Sequence, residues 1–185
     1  MQVRSCGGIS ANPTALLQEI LPDRNVKTKE MSQKKIMGYE KGERQMRTGR
    51  LGKTGLMVSE IGFGGEWLER HPEEESIELI KYASKKGINI LDCWMADPKS
   101  RNIIGEGIKE NRSQWFIQGH IGSTWKDNQY FRTRDMKYVR PAFEDLLKRL
   151  QTDYIDLGMI HYVDSEEEWE KIQHSDYLDY VMELK

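Results

Sequence analysis

Short apolar runs alternate along the chain with longer segments in which apolar residues recur every three or four positions. The apolar runs predict four β-strands, and the longer segments predict the helices that follow them. Alternation at this spacing indicates parallel strands joined by right-handed crossovers, so the fold is either a barrel or a doubly wound sheet. The predicted strands cover residues 61–65, 88–91, 115–119 and 154–160.

Capping signals at the helix starts support this division. Asp97 followed by Pro98 is typical of an N-cap and a first helical residue, and Ser165 with Glu168 predicts a capping box. Between the third strand and its helix, residues 122–135 are predicted to form a longer polar loop. The pattern thus defines four successive strand–helix units.

Polar side chains close three of the predicted strands. Asp92 follows the second strand, His120 the third and His161 the fourth. In a barrel the C-terminal ends of the strands meet at one face, where active sites are built. We therefore expect these three side chains at one barrel mouth. Trp94 and Trp125 follow the second and third strands and are candidates for a pocket wall or for packing.

Composition narrows the class of protein. The chain has 185 residues, of which 37% are hydrophobic and 31% charged, as in a soluble globular protein. No apolar run approaches the ~20 residues that span a membrane, and no secretory leader opens the chain. The two cysteines, Cys6 and Cys93, have no metal-ligand spacing. We therefore expect a cytoplasmic protein with no membrane partner.

Charge and periodicity divide the chain into two parts. Residues 1–46 hold eight Lys or Arg against five Asp or Glu, show little periodicity, and are predicted to be a loosely ordered extension. Residues 47–185 hold twenty against twenty-five and carry the strand–helix pattern. A mildly acidic folded part argues against nucleic acid as a partner, because a phosphate backbone requires basic residues gathered on one face.

Three stretches resemble one known family and decide for the barrel. Residues 51–65 are similar to the opening hairpin and first strand of the aldo/keto reductases. Residues 87–92 match the second strand with its terminal aspartate, and residues 150–161 match the segment through strand four. The resemblance covers about residues 47–185. It implies an α/β fold, the first half of a (β/α)8 TIM barrel, truncated after about four strand–helix units.

The resemblance also implies NADP(H)-dependent redox chemistry between a small carbonyl compound and its alcohol. In that family a tyrosine protonates the forming alkoxide, a lysine lowers the pKa of this tyrosine, an aspartate pairs with the lysine, and a histidine orients the carbonyl. By position, Asp92 has the aspartate role and His161 the histidine role. Asp97 stands where the tyrosine is expected and His120 where the lysine is expected, so the catalytic tetrad is altered.

Several of these positions have a second interpretation. Gly64 and Gly65 would lie near the nicotinamide by resemblance, but small residues also suit a crowded turn. Asp97 is a good helix cap, and His120 could be a polar residue that only lines the mouth. Asp92, without a lysine, could accept a hydrogen bond from His120 and fix the tautomer of its imidazole.

Three functions remain open at this stage. The first is an oxidoreductase with bound NADP(H), in which His120 or Asp97 delivers the proton. The second is a non-catalytic relic or binding module of the same fold. The third is a metal site built from the two histidines and a carboxylate at the mouth. An iron–sulfur cluster is expected only in a C-terminal part beyond Lys185, as in family members with modified catalytic sets.

A full barrel has eight strand–helix units, and this sequence carries four. The first and fourth strands are therefore predicted to be open edges with unpaired backbone groups. We expect the 185-residue chain alone to be inactive, poorly soluble or self-associating through these edges.

Overall fold

The computed structural model describes residues 45–185. The extension predicted over residues 1–46 therefore lies, apart from its last two residues, outside the described part of the chain. In chain order the strands are β1 Thr48–Arg50, β2 Met57–Ser59, β3 Phe63–Gly64, β4 Ile90–Cys93, β5 Phe116–Ile121, β6 Ser123–Lys126, β7 Gln129–Arg132 and β8 Leu157–Ile160. The α-helices are α1 Glu73–Lys85, α2 Pro98–Ile108, α3 Met136–Leu150, α4 Glu166–Gln173 and α5 Asp176–Glu183.

Four strands form one parallel sheet in the order β3-β4-β5-β8, with a helix in each crossover. The parallel arrangement predicted from the alternating pattern is confirmed. The fourth strand is shorter than predicted, because it begins at Leu157. Just before it, the Asp156 carboxylate accepts hydrogen bonds of 2.9 Å from the Ile117 amide and from the Arg112 guanidinium. The Asp156 amide also donates to the Ile117 carbonyl at 3.0 Å, so side-chain and backbone hydrogen bonds together fix the approach to β8.

Two antiparallel hairpins accompany this sheet. β1 and β2 form the first, at the position where the glycines around residues 51–56 predict a tight turn. The prediction of a simple loop over residues 122–135 is wrong, because β6 and β7 pair within it. Asp127 and Asn128 form the two-residue turn, with φ of 50° and 59°. A turn with two left-handed residues matches the twist of paired strands and so favours the hairpin.

The helices bury their apolar stripes against the sheet. Ile80 of α1, Ile104 of α2 and Leu146 of α3 are each at most 1% exposed and belong to one core cluster. Gly105 lets α2 and α3 approach closely, since a Cβ atom there would lie 2.1 Å from the Arg149 carbonyl oxygen. Any larger residue at this position would force the helices apart. None of the helices in residues 45–185 is long and apolar enough to cross a bilayer.

A second core cluster joins the C-terminal helices to the end of β5. Tyr177 of α5 is fully buried, and its hydroxyl donates a 2.6 Å hydrogen bond to the Ile121 carbonyl. Ser165 caps α4 by accepting from the Glu168 amide at 3.1 Å, which is one half of the predicted capping box. The Glu168 carboxylate accepts from the Asp164 amide at 3.2 Å, in place of the Ser165 amide that the capping box requires. The Ile121 carbonyl also accepts from the His161 amide at 3.1 Å, so this cluster anchors the chain at the strand-end residue His161.

Candidate active site

The C-terminal ends of three neighbouring strands bring the predicted side chains together. Asp92 lies in β4, His120 in β5, and His161 directly after β8. Side chains alternate between the two faces of a strand, so Gln118 and His120 share one face of β5. Both are half-buried at the barrel mouth, whereas the intervening Gly119 is buried. The strand period thus adds Gln118 to the three predicted residues.

Asp92 is the acceptor at the centre of this group. Its Oδ1 atom accepts a 2.8 Å hydrogen bond from the side-chain amide of Gln118 and lies 3.0 Å from Nε2 of His120. The contact that the sequence suggested between Asp92 and His120 is therefore present. Because an ionised carboxylate only accepts hydrogen bonds, the His120 proton in this contact resides on Nε2.

The hydrogen bonds continue from His120 through His161 to a tyrosine. The Nδ1 atoms of the two imidazoles lie 2.9 Å apart, and the Tyr130 hydroxyl lies 2.5 Å from Nε2 of His161. Trp94 stacks on the His161 ring with a centroid distance of 5.8 Å and meets Tyr130 edge-on at 5.4 Å. Both rings at the outer end of this series are thus held by the same indole.

For a neutral His120, one set of tautomers satisfies the contacts from Asp92 through His120 and His161 to Tyr130. With its proton on Nε2, His120 presents an unprotonated Nδ1, which can only accept. His161 must then carry its proton on Nδ1 and donate it to His120. That leaves Nε2 of His161 to accept from the Tyr130 hydroxyl. Every donor therefore points the same way, from Tyr130 toward Asp92.

Both groups at the outer end are electrically neutral at physiological pH. His161 is 2% exposed, and burial lowers its pKa to about 4, with help from the positive charge of Arg134. Burial also raises the pKa of the Tyr130 phenol. His161 is therefore a neutral imidazole and Tyr130 a neutral phenol.

Asp92, Gln118, His120 and His161 form what we call the strand-end cluster, which opens into a cleft of about 470 Å³. Its lining includes Asp92, His120 and His161, together with Trp94. A smaller cleft of about 260 Å³ shares Asp92 with it. The lining residues of the larger cleft are Glu66, Asp92, Trp94, His120, His161 and Tyr162, and those of the smaller are Gly62, Phe63, Gly64, Ile90, Asp92 and Gln118. A substrate oxygen in the larger cleft would therefore meet both imidazoles and a carboxylate.

The two glycines that were predicted near a nicotinamide differ in their surroundings. A Cβ atom on Gly64 would meet nothing within 4 Å, whereas one on Gly65 would lie 2.7 Å from both the Asp92 carbonyl oxygen and Ile104. Gly65 is thus required by packing, and Gly64 leaves open space at the smaller cleft. Neither lining contains Lys or Arg. The described residues fit the flat nicotinamide end of NADP(H) and offer no cation in these clefts for its phosphates.

Asp97 and Trp125 lie apart from the cluster's hydrogen bonds. The Asp97 carboxylate accepts from the Ser100 amide at 2.8 Å and caps α2, as its position before Pro98 suggests. Trp125 pairs with Tyr130 across the β6–β7 hairpin but is not part of either cleft lining. Among residues 45–185, no three His, Cys, Asp or Glu side chains gather as metal ligands. The metal-site hypothesis therefore gains no support.

Two residues of the site, Gln118 and Tyr130, were not predicted from the sequence. Gln118 could have been found from the strand period, because it precedes His120 by two positions. Tyr130 was hidden by the loop assignment, although Asp127-Asn128 between Thr124-Trp125 and Tyr130-Phe131 has the composition of a hairpin. Its contact with His161 spans 31 residues and depends on where that hairpin docks.

Comparisons with known proteins agree with one another. The sequence profile of the Aldo/keto reductase family matches residues 60–185. Aldo-keto reductase YhdN of Bacillus subtilis is 38% identical over 120 residues, which make up 60% of this chain and 36% of that protein. A crystal structure of an aldo-keto reductase from Pseudomonas aeruginosa matches with a TM-score of 0.65 and 29% identity, covering 75% of this chain and 55% of that chain.

A more distant structure shares the fold alone. This is an aldo-keto reductase from Klebsiella pneumoniae in complex with NADPH, with a TM-score of 0.51 and 20% identity over 69% of this chain and 45% of that chain. The matches to solved structures agree with a partial barrel of parallel strands and helices. The chain spans about half the length of these relatives or less.

Proposed function

The chain belongs to the aldo/keto reductase family, and from this premise we propose that its strand-end cluster transfers the proton when NADP(H) interconverts a small carbonyl compound and its alcohol. The contact between Asp92 and His120 carries the proposal. By resemblance His120 occupies the position of the family's lysine, and it faces a cleft large enough for a small substrate. General acid–base catalysis requires a positioned side chain of this kind.

His120 is better suited to deliver the proton than Asp97. Its Nε2 proton lies at the cleft, directed at the Asp92 carboxylate. The Asp97 carboxylate is instead occupied by the Ser100 amide at the start of α2. A carbonyl oxygen placed beside Asp92 could accept the Nε2 proton as negative charge develops on it. We therefore assign the role of the missing tyrosine to His120.

Asp92 and Gln118 are the residues that prepare His120 for this step. Gln118 donates to the same Oδ1 atom that faces the imidazole, which fixes the carboxylate. The carboxylate in turn keeps the proton on Nε2, the nitrogen that faces Asp92. Asp92 therefore retains the pairing role that the resemblance gives it, with an imidazole in place of an ammonium group.

NADP(H) is the cofactor that family membership supports. When bound, it supplies or removes the hydride at the carbonyl carbon. Gly64 leaves room for the nicotinamide ring next to Asp92. Because Lys and Arg are absent from both cleft linings, tight binding of the phosphates would need further residues. We therefore expect turnover only from protein expressed from the complete natural reading frame that contains residues 1–185.

The test is made on that protein. Nicotinamide fluorescence measures NADPH binding, and the loss of NADPH absorbance measures reduction of a panel of small aldehydes and ketones. We expect His120→Gln to lower kcat by about 100-fold or more, the usual weight of a general acid, while NADPH still binds. His174→Gln, at an exposed histidine away from the cleft, is the matched control and should leave both quantities unchanged.

Two results would count against the proposal. Equal kcat values for His120→Gln and the wild type would remove His120 from the proton transfer. A wild-type protein that neither binds NADPH nor reduces any member of the panel would favour a binding module of the same fold.

A further inference from the structure

The hydrogen-bonded series has two ends in different surroundings. His120 and Asp92 line the larger cleft, whereas Tyr130 is not part of that lining. Tyr130 lies on the β6–β7 hairpin, where its side chain is half-buried and therefore keeps some contact with solvent. Solvent can therefore approach the hairpin end independently of the cleft. A substrate and cofactor that fill the cleft would not cover the hairpin end.

The direction of the hydrogen bonds suits delivery of protons toward the cleft. If His120 gives its Nε2 proton to a substrate oxygen, the ring becomes an imidazolate unless Nδ1 gains a proton in the same event. The group in contact with Nδ1 is His161, which donates there. His161 can in turn be reprotonated on Nε2 by Tyr130 at 2.5 Å. Each neutral ring thus gains one proton as it loses another.

We propose, on the basis of the function proposed above, that Tyr130 is the solvent-side end of a proton wire through His161 that reloads His120 while the cleft is occupied. In carbonyl reduction the Nε2–H bond of His120 breaks and the substrate gains an O–H bond. The Nδ1 proton of His161 moves to Nδ1 of His120, and the Tyr130 proton moves to Nε2 of His161. A hydronium ion of the solvent protonates the Tyr130 oxygen and becomes water, so the net change is one proton carried from solvent to the alkoxide. This step leaves the proton of His120 on Nδ1 and that of His161 on Nε2. Once the alcohol has left the cleft, solvent protonates Nε2 of His120, and the protons of the wire move back toward Tyr130 to restore the starting tautomers.

The wire is held in register by contacts on both sides of the hairpin. The Arg132 guanidinium pairs with Asp164 at 2.8 Å and so ties β7 to the segment that follows His161. The Thr124 hydroxyl donates to the Phe131 carbonyl at 2.5 Å within the hairpin. Together with the stacking of Trp94 on His161, these contacts position the phenol for the imidazole. Tyr130 is therefore a positioning and relay residue that acts on the substrate through His161 and His120.

A spectroscopic test determines the tautomers of His120 and His161 without any turnover. Long-range 1H–15N NMR spectra of the complete protein report which ring nitrogen of each histidine carries the proton. We expect the Nδ1–H form for His161 and the Nε2–H form for His120. Tyr130→Phe should leave His161 as a mixture of tautomers, whereas Tyr138→Phe should leave it as in the wild type. Tyr138 is the matched control, because it packs on Phe131 of the same hairpin.

A kinetic test on the complete protein measures proton transfer through the wire. Tyr130→Phe should lower kcat for carbonyl reduction by about tenfold or more and change the solvent deuterium isotope effect, with KM and NADPH affinity retained. A wild-type His161 found in the Nε2–H form would overturn the wire, as would equal kcat values for Tyr130→Phe and Tyr138→Phe. Absence of NADPH-dependent reduction by the wild type would refute the proposed function instead, and the tautomer spectra would still decide the arrangement of the wire.

Discussion

Arg101 and His161 are both 2% exposed, yet the two buried polar side chains end in different surroundings. Arg101, on α2, donates to the Met95 and Ala142 carbonyls at 3.3 and 3.1 Å and to the Asp145 carboxylate at 3.3 Å. All of these partners belong to the packed fold. His161 contacts side chains that lead into a cleft. Burial of a polar group therefore indicates a strong constraint but does not reveal whether the constraint is structural or functional.

The side chains of Arg101 and His161 also differ in charge. Burial lowers the pKa of Arg101 from its usual value, and the negative charge of Asp145 opposes that change. Acceptors for its Nε and Nη1 groups, among them the Asp145 carboxylate, offset the cost of burying the guanidinium. His161 avoids the cost of a buried charge by remaining neutral, with its pKa lowered to about 4. A neutral ring can pass a proton, which a guanidinium cannot do at physiological pH.

Removal of Arg101 should have the largest effect on stability. Arg101→Met would leave two carbonyls without their donor, and we expect the free energy of unfolding to fall by about 4 kcal/mol. Urea denaturation followed by circular dichroism measures this change. Arg149→Met is the control, because Arg149 contacts the same Asp145 but is 29% exposed, and it should cost about 1 kcal/mol or less. Equal losses would remove the distinction between a buried anchor and a surface ion pair.

Acid should weaken the fold through His161. The unfolded chain binds a proton there near the ordinary pKa of 6.5, whereas the folded chain does so only near pH 4. The free energy of unfolding should therefore fall as the pH decreases from about 6.5 to 4, by at most about 3 kcal/mol for this site. Denaturation at several pH values measures the slope. His161→Gln should flatten it and the exposed His174→Gln should not; a slope unaffected by His161→Gln would contradict a neutral buried imidazole.

Asp97 provides the smallest and most discriminating test. Asp97→Ala removes the cap of α2 and should cost about 1 kcal/mol of stability, whereas Asp97→Ser should restore most of it. Thermal denaturation measures both variants. Because Asp97 makes no hydrogen bond to the strand-end cluster, neither substitution should alter the NMR tautomer signals of His120 and His161. A changed tautomer in Asp97→Ala would bring this carboxylate back into the functional site.

The fold could be predicted from the sequence because its signals are local. The parallel sheet and the Ser165 cap follow from periodicity and from residues three positions apart. The wrong prediction of a loop over residues 122–135 has a physical cause as well. Ser, Gln, Lys and Arg in β6 and β7 lack an apolar period, and the pairing depends on two left-handed residues at Asp127 and Asn128.

By itself, the sequence determined that Asp92, His120 and His161 would share one mouth, since the ends of successive parallel strands meet at the same edge. Only the tertiary structure decided what each side chain touches. It directed Asp97 to a helix cap and brought Tyr130 to His161 across 31 residues. The alternation of side chains along a strand fixes the face on which each side chain lies. Whether two groups form a hydrogen bond depends on differences of a few tenths of an ångström in the distance between them. Those distances are set by sheet register and by the docking of the hairpin.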